Sequence, residues 1–554
     1  MNLYTASSLQ YQVLRALLLL AVTLLFTACA AGEESSTAGS TGPESSNGGA
    51  SSTGSVPSEV ADVIEQVTSE PRYERSVWGH SIKDLSTGEV LLDQSSDKLF
   101  VPGSILKTFS TATALDSYGP DYRFRTPAYQ TDAPDQGVLD GNLVLVASGD
   151  LSLGLREQSD GTIAFNSAPE FDHTYANAGL GGGALVEGDP LAGLDELAQQ
   201  VQDAGIQEVQ GDVVIDDRLF EPYSEWPDGL ISPIWVNENR IDITTTPTSS
   251  GEAADVDWRP KTAAYTVESD VETVTEDEET DLTVDDSGSG VFRISGQIAA
   301  GIDPELRVGE VEDPAAFART AFIEALEDAG VDVSATATGS NPSDLLPAED
   351  SYGESDRVAE YVSAPLEEFT KVILKTSHNP GADLMACLSA VRAGSRNCED
   401  GVAQEFEVAT SLGVPPDSTF LLDGAGSVEF SRVTPDAMTT FLRAVDEQYY
   451  GEAYRSSLAE LGVDGDVAQV EEDSPAAGYI RVKTGTRATP TPADQGLLTG
   501  RTLVGYVEAE SGRQLVISIM VGGVPVSSVQ DLFSTLETVT EDQGTLAAAI
   551  QQGY

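Results

Sequence analysis

The texture of this chain changes twice, near residues 122 and 355, and that division limits what it can fold into. In between, short strand-like pieces (143–147, 211–215, 291–294) are separated by Gly, Pro and Asp turns. One helix interrupts them, with Asp313 as N-cap, Pro314 at its first position, Phe317, Ala321, Phe322, Ala325 and Leu326 on one face, and Gly330 as stop. The acidic run Glu276, Asp277, Glu278, Glu279 marks an exposed loop tip. Either side of this stretch, strand and helix patterns mix. Segments 77–82 and 89–92 flank a tight turn at Asp84, Leu85, Ser86, Thr87 and Gly88, and a buried helix follows Ser104 and stops at Gly119. Helical patterns return at 365–375 and 382–391, then strands at 479–486, 502–509 and 514–521, then a last helix from Ser528 to about Ile550. The flanks therefore read as α/β and the middle as mostly β. No repeat of solenoid period occurs, and a prior of roughly 150 residues per domain makes about three domains of 554 residues.

The first residues set the compartment. Segment 14–26 is apolar, has Arg15 near its start, and is too short for a comfortable membrane span. It ends in Phe26, Thr27, Ala28 and Cys29, a pattern that resembles a bacterial lipoprotein signal in which Cys29 becomes the lipidated first residue. Ordinary signal cleavage without an anchor is the alternative. From 29 to about 58 the chain is Ser, Gly, Thr, Glu and Ala with little to bury, the composition of a flexible tether. The formal net charge of −62 repels nucleic acid and anionic membrane surfaces, so neither is an expected partner; it reads as a solvated acidic surface. The membrane would be met only through a lipid on Cys29.

Chemistry is carried by few residues. The only histidines are His80, His173 and His378, and there is no HExxH and no Cys/His cluster of zinc spacing, so neither metal nor cofactor is expected. Seven lysines occur, and Lys107 stands three residues after Ser104 at a helix start. Positions i and i+3 share a helix face, so the amine can take the serine proton. Ser95 and Lys98 repeat the spacing in a polar turn with no helix after it. Ser377, His378 and Asn379 lie between two helices and offer a hydroxyl that relays a proton and an amide that holds a carbonyl. Lys483, Thr484, Gly485 and Thr486 end an apolar strand, where a cation and hydroxyls suit a carboxylate and a glycine lets an extended peptide approach.

In this order, SxxK, SxN and KTG are the defining set of penicillin-binding proteins and serine β-lactamases. The SxN serine follows Ser104 by 273 residues and the KTG lysine follows Ser377 by 106. The long first interval resembles that of the D-alanyl-D-alanine carboxypeptidase/endopeptidase family (DacB-like, peptidase family S13). Segments 148–152, 211–217, 236–239 and 423–427 are similar to that family as well, with Ala425 where Ser is more usual. The resemblance implies an antiparallel sheet with flanking helices, built from 59–122 and 355–554, with mostly-β domains inserted over 123–354. It implies a serine peptidase of the cell envelope that acts on peptidoglycan peptides ending in D-Ala-D-Ala and is inhibited by β-lactams. Ser104 would be the nucleophile and Lys107 its base. Ser377 and Asn379 would serve proton relay and substrate orientation, and Ser377 would work with Lys375 or Lys483 tuning the field. Lys483, Thr484, Gly485 and Thr486 would bind the terminal carboxylate, with the backbone N–H groups of Ser104 and Thr486 as oxyanion hole. The 15-residue segment after Thr486, which the family usually lacks, reads as a loop rimming the site.

Two rivals remain at this level. A β-lactamase would need a means of activating a deacylating water, and no Glu-x-x-Leu-Asn occurs between the second and third motifs. A non-catalytic wall-binding relative would not need all three motifs intact. Outside the cytoplasm, Cys387 and Cys398 are expected to close a small disulfide loop, two free thiols being the alternative.

Overall fold

The computed structural model describes residues 56–554 except 169–170, 176–181, 225–228, 287, 289 and 529. The expected signal segment 1–28, Cys29 and the tether up to residue 55 lie outside the described residues.

The described residues open with helix α1 (Ser58–Thr68) and the hairpin β1 (Val77–Asp84) and β2 (Val90–Gln94). A 3-10 turn at Gly103–Leu106 runs into α2 (Lys107–Tyr118), which ends where Gly119 takes a φ of 86°. The rest of this unit comes from the other end of the chain: α3 (Leu366–Lys375), α4 (Asn379–Arg392), α5 (Pro435–Asp446), β3 (Ile480–Pro490), β4 (Gly496–Glu508), β5 (Gln514–Gly522) and α6 (Leu532–Gly553). The sheet runs β2-β1-β5-β4-β3 with Ala459–Glu460 at the far edge, all antiparallel. Because β1 lies between β2 and β5, with Val77 opposite Gly522 and Asp84 opposite Leu515, the two flanks close one domain.

Period-two alternation gives the sheet two buried faces. Val504, Tyr506, Val516 and Met520 face Phe109, Leu115, Phe369 and Met385 on the α2–α4 side. Leu503, Val507, Ile517 and Ile519 face Val60, Ile64, Val539 and Leu546 of α1 and α6. Among the described residues no helix is long and apolar enough to cross a membrane.

The inserted stretch has its own core. Its first sheet orders Arg357–Pro365, Arg123–Gln130, Leu143–Val146 and Val213–Asp216. A second places Arg240–Thr246 between Asp255–Arg259 and Glu305–Glu310, and a third places Val291–Ala299 between Thr266–Val274 and Asp281–Asp286. Two helices pack with them: Ala192–Asp203, and Pro314–Asp328, which Asp313 caps by accepting the Ala316 N–H at 3.0 Å. The returning strand Arg357–Pro365 pairs with Arg123–Gln130, so the chain leaves the insertion beside the strand by which it enters.

Two expectations are corrected. The segment after Thr486 is no separate loop: β3 and β4 run on as a hairpin to Pro490 and Gly496, and the Thr491 N–H donates to the Gln495 carbonyl across a short turn. Its threonines and leucines suit a pleated strand, so extending the ladder satisfies backbone groups that a loop would leave to water. Ser528 does not cap the last helix, which starts at Leu532 after Asp531; Ser528 instead closes the preceding turn, its Oγ accepting the Asp531 N–H at 3.2 Å.

Cys387 and Cys398 are joined, tying α4 to the start of the helix Glu399–Ser411. A loop with a sequence separation of 11 stabilises by about 3 kcal/mol in the chain-entropy picture. Replacing both cysteines by alanine should lower the urea midpoint accordingly while leaving β-lactam acylation intact; an unchanged midpoint would count against the bond.

Candidate active site

Ser104 sits in the 3-10 turn that leads into α2, half-buried, while Lys107 is fully buried. The i, i+3 geometry brings Lys107 Nζ to 2.8 Å from Ser104 Oγ. A second bond, Nζ to the Ala425 carbonyl at 2.8 Å, points the amine at the serine. That carbonyl belongs to segment 423–427, which Asp423 braces by accepting the backbone N–H of Ser427 and, at 3.1 Å, that of Val428. Ser95 and Lys98 do not form such a pair: Lys98 is exposed and bonds Asp97 at 2.9 Å.

Three glycines let this turn approach its neighbours. A Cβ on Gly103 would lie 2.5 Å from the Thr486 nitrogen, one on Gly485 2.1 Å from the Pro102 carbonyl, and one on Gly426 2.0 Å from the Gly103 carbonyl. The Ser104 turn is thus wedged between the edge of β3 and segment 423–427, with the Thr486 N–H beside it. Ala459–Glu460 pairs with β3 only at Arg481 and Val482, so β3 from Lys483 onward is uncovered by it.

Ser377 is the junction between α3 and α4. Its φ of 60° is a left-handed conformation rare outside glycine, and it turns the chain sharply between the helices. Asn379 is the first residue of α4, and its Nδ2 lies 3.4 Å from Ser427 Oγ, which places it by the segment that holds Lys107. His378 caps α4: Nδ1 accepts the Gly381 N–H at 2.9 Å, and Nε2 lies 2.8 Å from Glu238. Both ring nitrogens are engaged there, so His378 forms no catalytic triad with Ser104.

Lys483 is fully buried and bonds Asp466 at 3.2 Å and the Thr484 carbonyl at 3.0 Å; Asp466 also accepts the Thr484 hydroxyl. Burial pushes the Lys483 amine below its ordinary value, Asp466 opposes that, and the Arg501 charge adds to it. Arg501, opposite Thr486 on β4, donates to Thr486 Oγ1 at 2.9 Å and is itself pushed down to about 10 by burial. The Lys483 strand thus packs against the Ser104 turn, and Asn379 reaches the 423–427 segment that bonds Lys107. Lys375 does not join them: its amine bonds Asp464 at 2.6 Å and the Leu458 carbonyl, which removes it as a direct tuner of Ser377.

Asp466 and Arg501 are site groups that no motif announces, and segment 423–427 stood out in the sequence without showing that the Ala425 carbonyl would hold Lys107. Asp466 is one acid among 91 Asp and Glu, and only folding brings it to Lys483. A trio of metal-type donors, Asp172, His173 and Glu238, also comes together. The Arg156 guanidinium binds both Asp172 oxygens at 2.8 Å and also Glu238, so the trio reads as an ion-pair network and not as a metal centre.

The family model described as D-Ala-D-Ala carboxypeptidase 3 (S13) matches residues 60–541. A D-alanyl-D-alanine carboxypeptidase from Actinomadura sp. (strain R39) is 26% identical over 501 residues, 86% of this chain and 83% of that protein. The D-alanyl-D-alanine carboxypeptidase DacB of Haemophilus influenzae is 21% identical over 421 residues, 71% of this chain and 76% of its own. The crystal structure of penicillin binding protein 4 from that organism superimposes with a TM-score of 0.66 at 18% identity, covering 89% of this chain and 99% of that one. The shared fold is that of a penicillin-binding protein, and the match over most of the length means that this chain belongs to the D-Ala-D-Ala carboxypeptidase 3 (S13) family.

Proposed function

We propose that the protein is a serine-type D-Ala-D-Ala carboxypeptidase/endopeptidase that cleaves peptidoglycan stem peptides through an acyl-enzyme on Ser104. The observation that carries this reading is the 2.8 Å Ser104–Lys107 pair set against the edge of the Lys483, Thr484, Gly485, Thr486 strand. Lys483, with the hydroxyls of Thr484 and Thr486, holds the terminal carboxylate of an extended peptide laid along β3. Lys107 as free amine takes the Ser104 proton while Oγ attacks the carbonyl of the penultimate D-alanine. The backbone N–H groups of Ser104 and Thr486 donate to the oxyanion. Ser377 passes a proton to the departing D-alanine nitrogen as the C–N bond breaks, and Asn379 orients the acyl part. Water then hydrolyses the ester and returns the enzyme. A β-lactam forms the same ester, but its opened ring keeps the leaving nitrogen attached, so release is slow. Carboxypeptidase and endopeptidase action differ only in what is attached to the departing D-amino acid.

The chain is exported, and a lipid on Cys29 with the 29–58 tether holds the enzyme clear of the outer face of the cytoplasmic membrane. The apolar run ending at Cys29 and the composition of the tether support this part of the reading.

Incubated with benzylpenicillin, the wild type should gain the mass of one penicilloyl group and Ser104→Ala none; an adduct on the variant would sink the assignment. A second outcome concerns pH. The charged form of Lys483 binds the carboxylate, and burial disfavours that form, so kcat/KM should fall on the alkaline side below the ordinary lysine range. Asp466→Asn removes the partner that favours the charged amine and should move that limb to lower pH. A limb that stays in place would show that Lys483 does not set it.

A further inference from the structure

Segment 236–239 of the insertion has an improbable backbone. Asn237, Glu238 and Asn239 have φ values of 49°, 52° and 54°, three consecutive residues with side chains in the left-handed region. Side-chain bonds hold them there. Asn239 Oδ1 accepts the Val236 N–H and its Nδ2 donates to the Ile234 carbonyl, while Asn237 Nδ2 donates to the Arg240 carbonyl and to Asp242. The turn projects Glu238, fully buried, out of the insertion and toward the catalytic domain.

Glu238 ends beneath the second motif. One carboxylate oxygen meets Arg156; the other lies 2.8 Å from His378 Nε2 and 3.1 Å from His173 Nε2. Because His378 Nδ1 accepts the Gly381 N–H, the ring proton is on Nε2, and His378 donates to Glu238. Arg156, His173 and Arg259 oppose Asp172, Glu238 and Asp242 in one ion-pair network that His378 joins through Glu238. On the other side of the same peptide unit, the Tyr175 hydroxyl donates to the Ser377 carbonyl at 2.9 Å. Tyr175 also belongs to the insertion. The bond between Ser377 and His378 is therefore gripped from two sides by groups outside the catalytic domain, at a residue whose own backbone is strained.

We propose that the 236–239 turn and Tyr175 are positioning elements for the second motif, so that the insertion holds Ser377 and Asn379 in register with Ser104. The inference rests on the catalytic reading of Ser377 given above. Released from the grip, Ser377 returns to the commoner backbone regions and its hydroxyl leaves the relay, although the carboxylate site on β3 is untouched.

Three variants separate positioning from bulk stability. His378→Asn keeps an acceptor for the Gly381 N–H but cannot reach Glu238. His378→Gln reaches Glu238 and gives up the helix cap. Tyr175→Phe removes only the hydroxyl of a residue that is 42% exposed, so its fold is safe. The measurement is the initial rate of acylation by a fluorescent penicillin, divided by the number of labelled sites at saturation, so that misfolded protein is not counted. His378→Asn and Tyr175→Phe should acylate about ten- to a hundredfold more slowly per site, the scale on which misplacement by an ångström acts. His378→Gln should stay within about threefold of wild type while melting lower for want of its cap. A wild-type rate per site in Tyr175→Phe, or in folded His378→Asn, overturns the inference even if the melting temperature falls. Should His378→Asn not fold, Tyr175→Phe alone decides. A wild type that takes no label on Ser104 overturns the catalytic reading itself, and the inference with it.

Discussion

The arrangement depends on the close approach of one backbone to another. The turn that carries Ser104 is pressed against the edge of β3, and nothing larger than hydrogen fits on Gly485 toward the Pro102 carbonyl or on Gly103 toward the Thr486 nitrogen. Thr502 Oγ1, on the neighbouring strand, donates to the same Pro102 carbonyl at 2.6 Å and locks the contact. With that contact made, the nucleophile stands at the strand edge where an extended peptide would lie. The start of α2 is then fixed, and with it Lys107, three residues after Ser104. The strands β3, β4 and β5 pair among themselves, and β1 from the beginning of the chain joins them at β5, so bringing the Ser104 turn to β3 requires closure across the whole insertion.

The site is also a problem in burying cations. Its buried amines and guanidinium group each have an oxygen partner, Lys107 the Ala425 carbonyl, Lys483 Asp466 and Arg501 Thr486 Oγ1, and so does nearby Lys375 in Asp464. An isolated buried charge costs several kcal/mol, so such partners are conditions of folding as much as of chemistry. They differ in consequence. The Ala425 carbonyl gives Lys107 direction, whereas the Asp466 carboxylate favours the charged state that a carboxylate-binding lysine requires. The network around Glu238 follows the same logic at the boundary between insertion and catalytic domain, where charges of opposite sign offset one another.

Much of the secondary structure was legible because the signals were local. Asp313, Pro314 and Gly330 bracket the helix Pro314–Asp328, and Gly119 ends α2, by the preferences of caps and stops. The errors were local too. The 15 residues after Thr486 look like loop because of their prolines and Gly residues, yet an adjacent strand supplies hydrogen bonds that outweigh those signals. Ser528 is a good N-cap by residue type, but Asp531 begins the helix, because a nearby turn takes Ser528 first.

By itself the sequence determined the parts list: a serine and lysine one helical turn apart, a Ser-x-Asn at a helix junction, a Lys-Thr-Gly strand, and two cysteines close enough to bridge. Those inferences hold because spacing of three residues on a helix, or a glycine in a strand, has one geometric meaning over a few ångströms. Only the tertiary structure decided which oxygen faces each cation, that Lys375 turns to Asp464 instead of Ser377, and that Glu238 and Tyr175 reach the second motif from the insertion. The physical reason is range. Asp466 and Lys483 are 17 residues apart, and Glu238 and His378 are 140 apart, and neither pairing leaves a periodicity or a spacing in the chain to betray it.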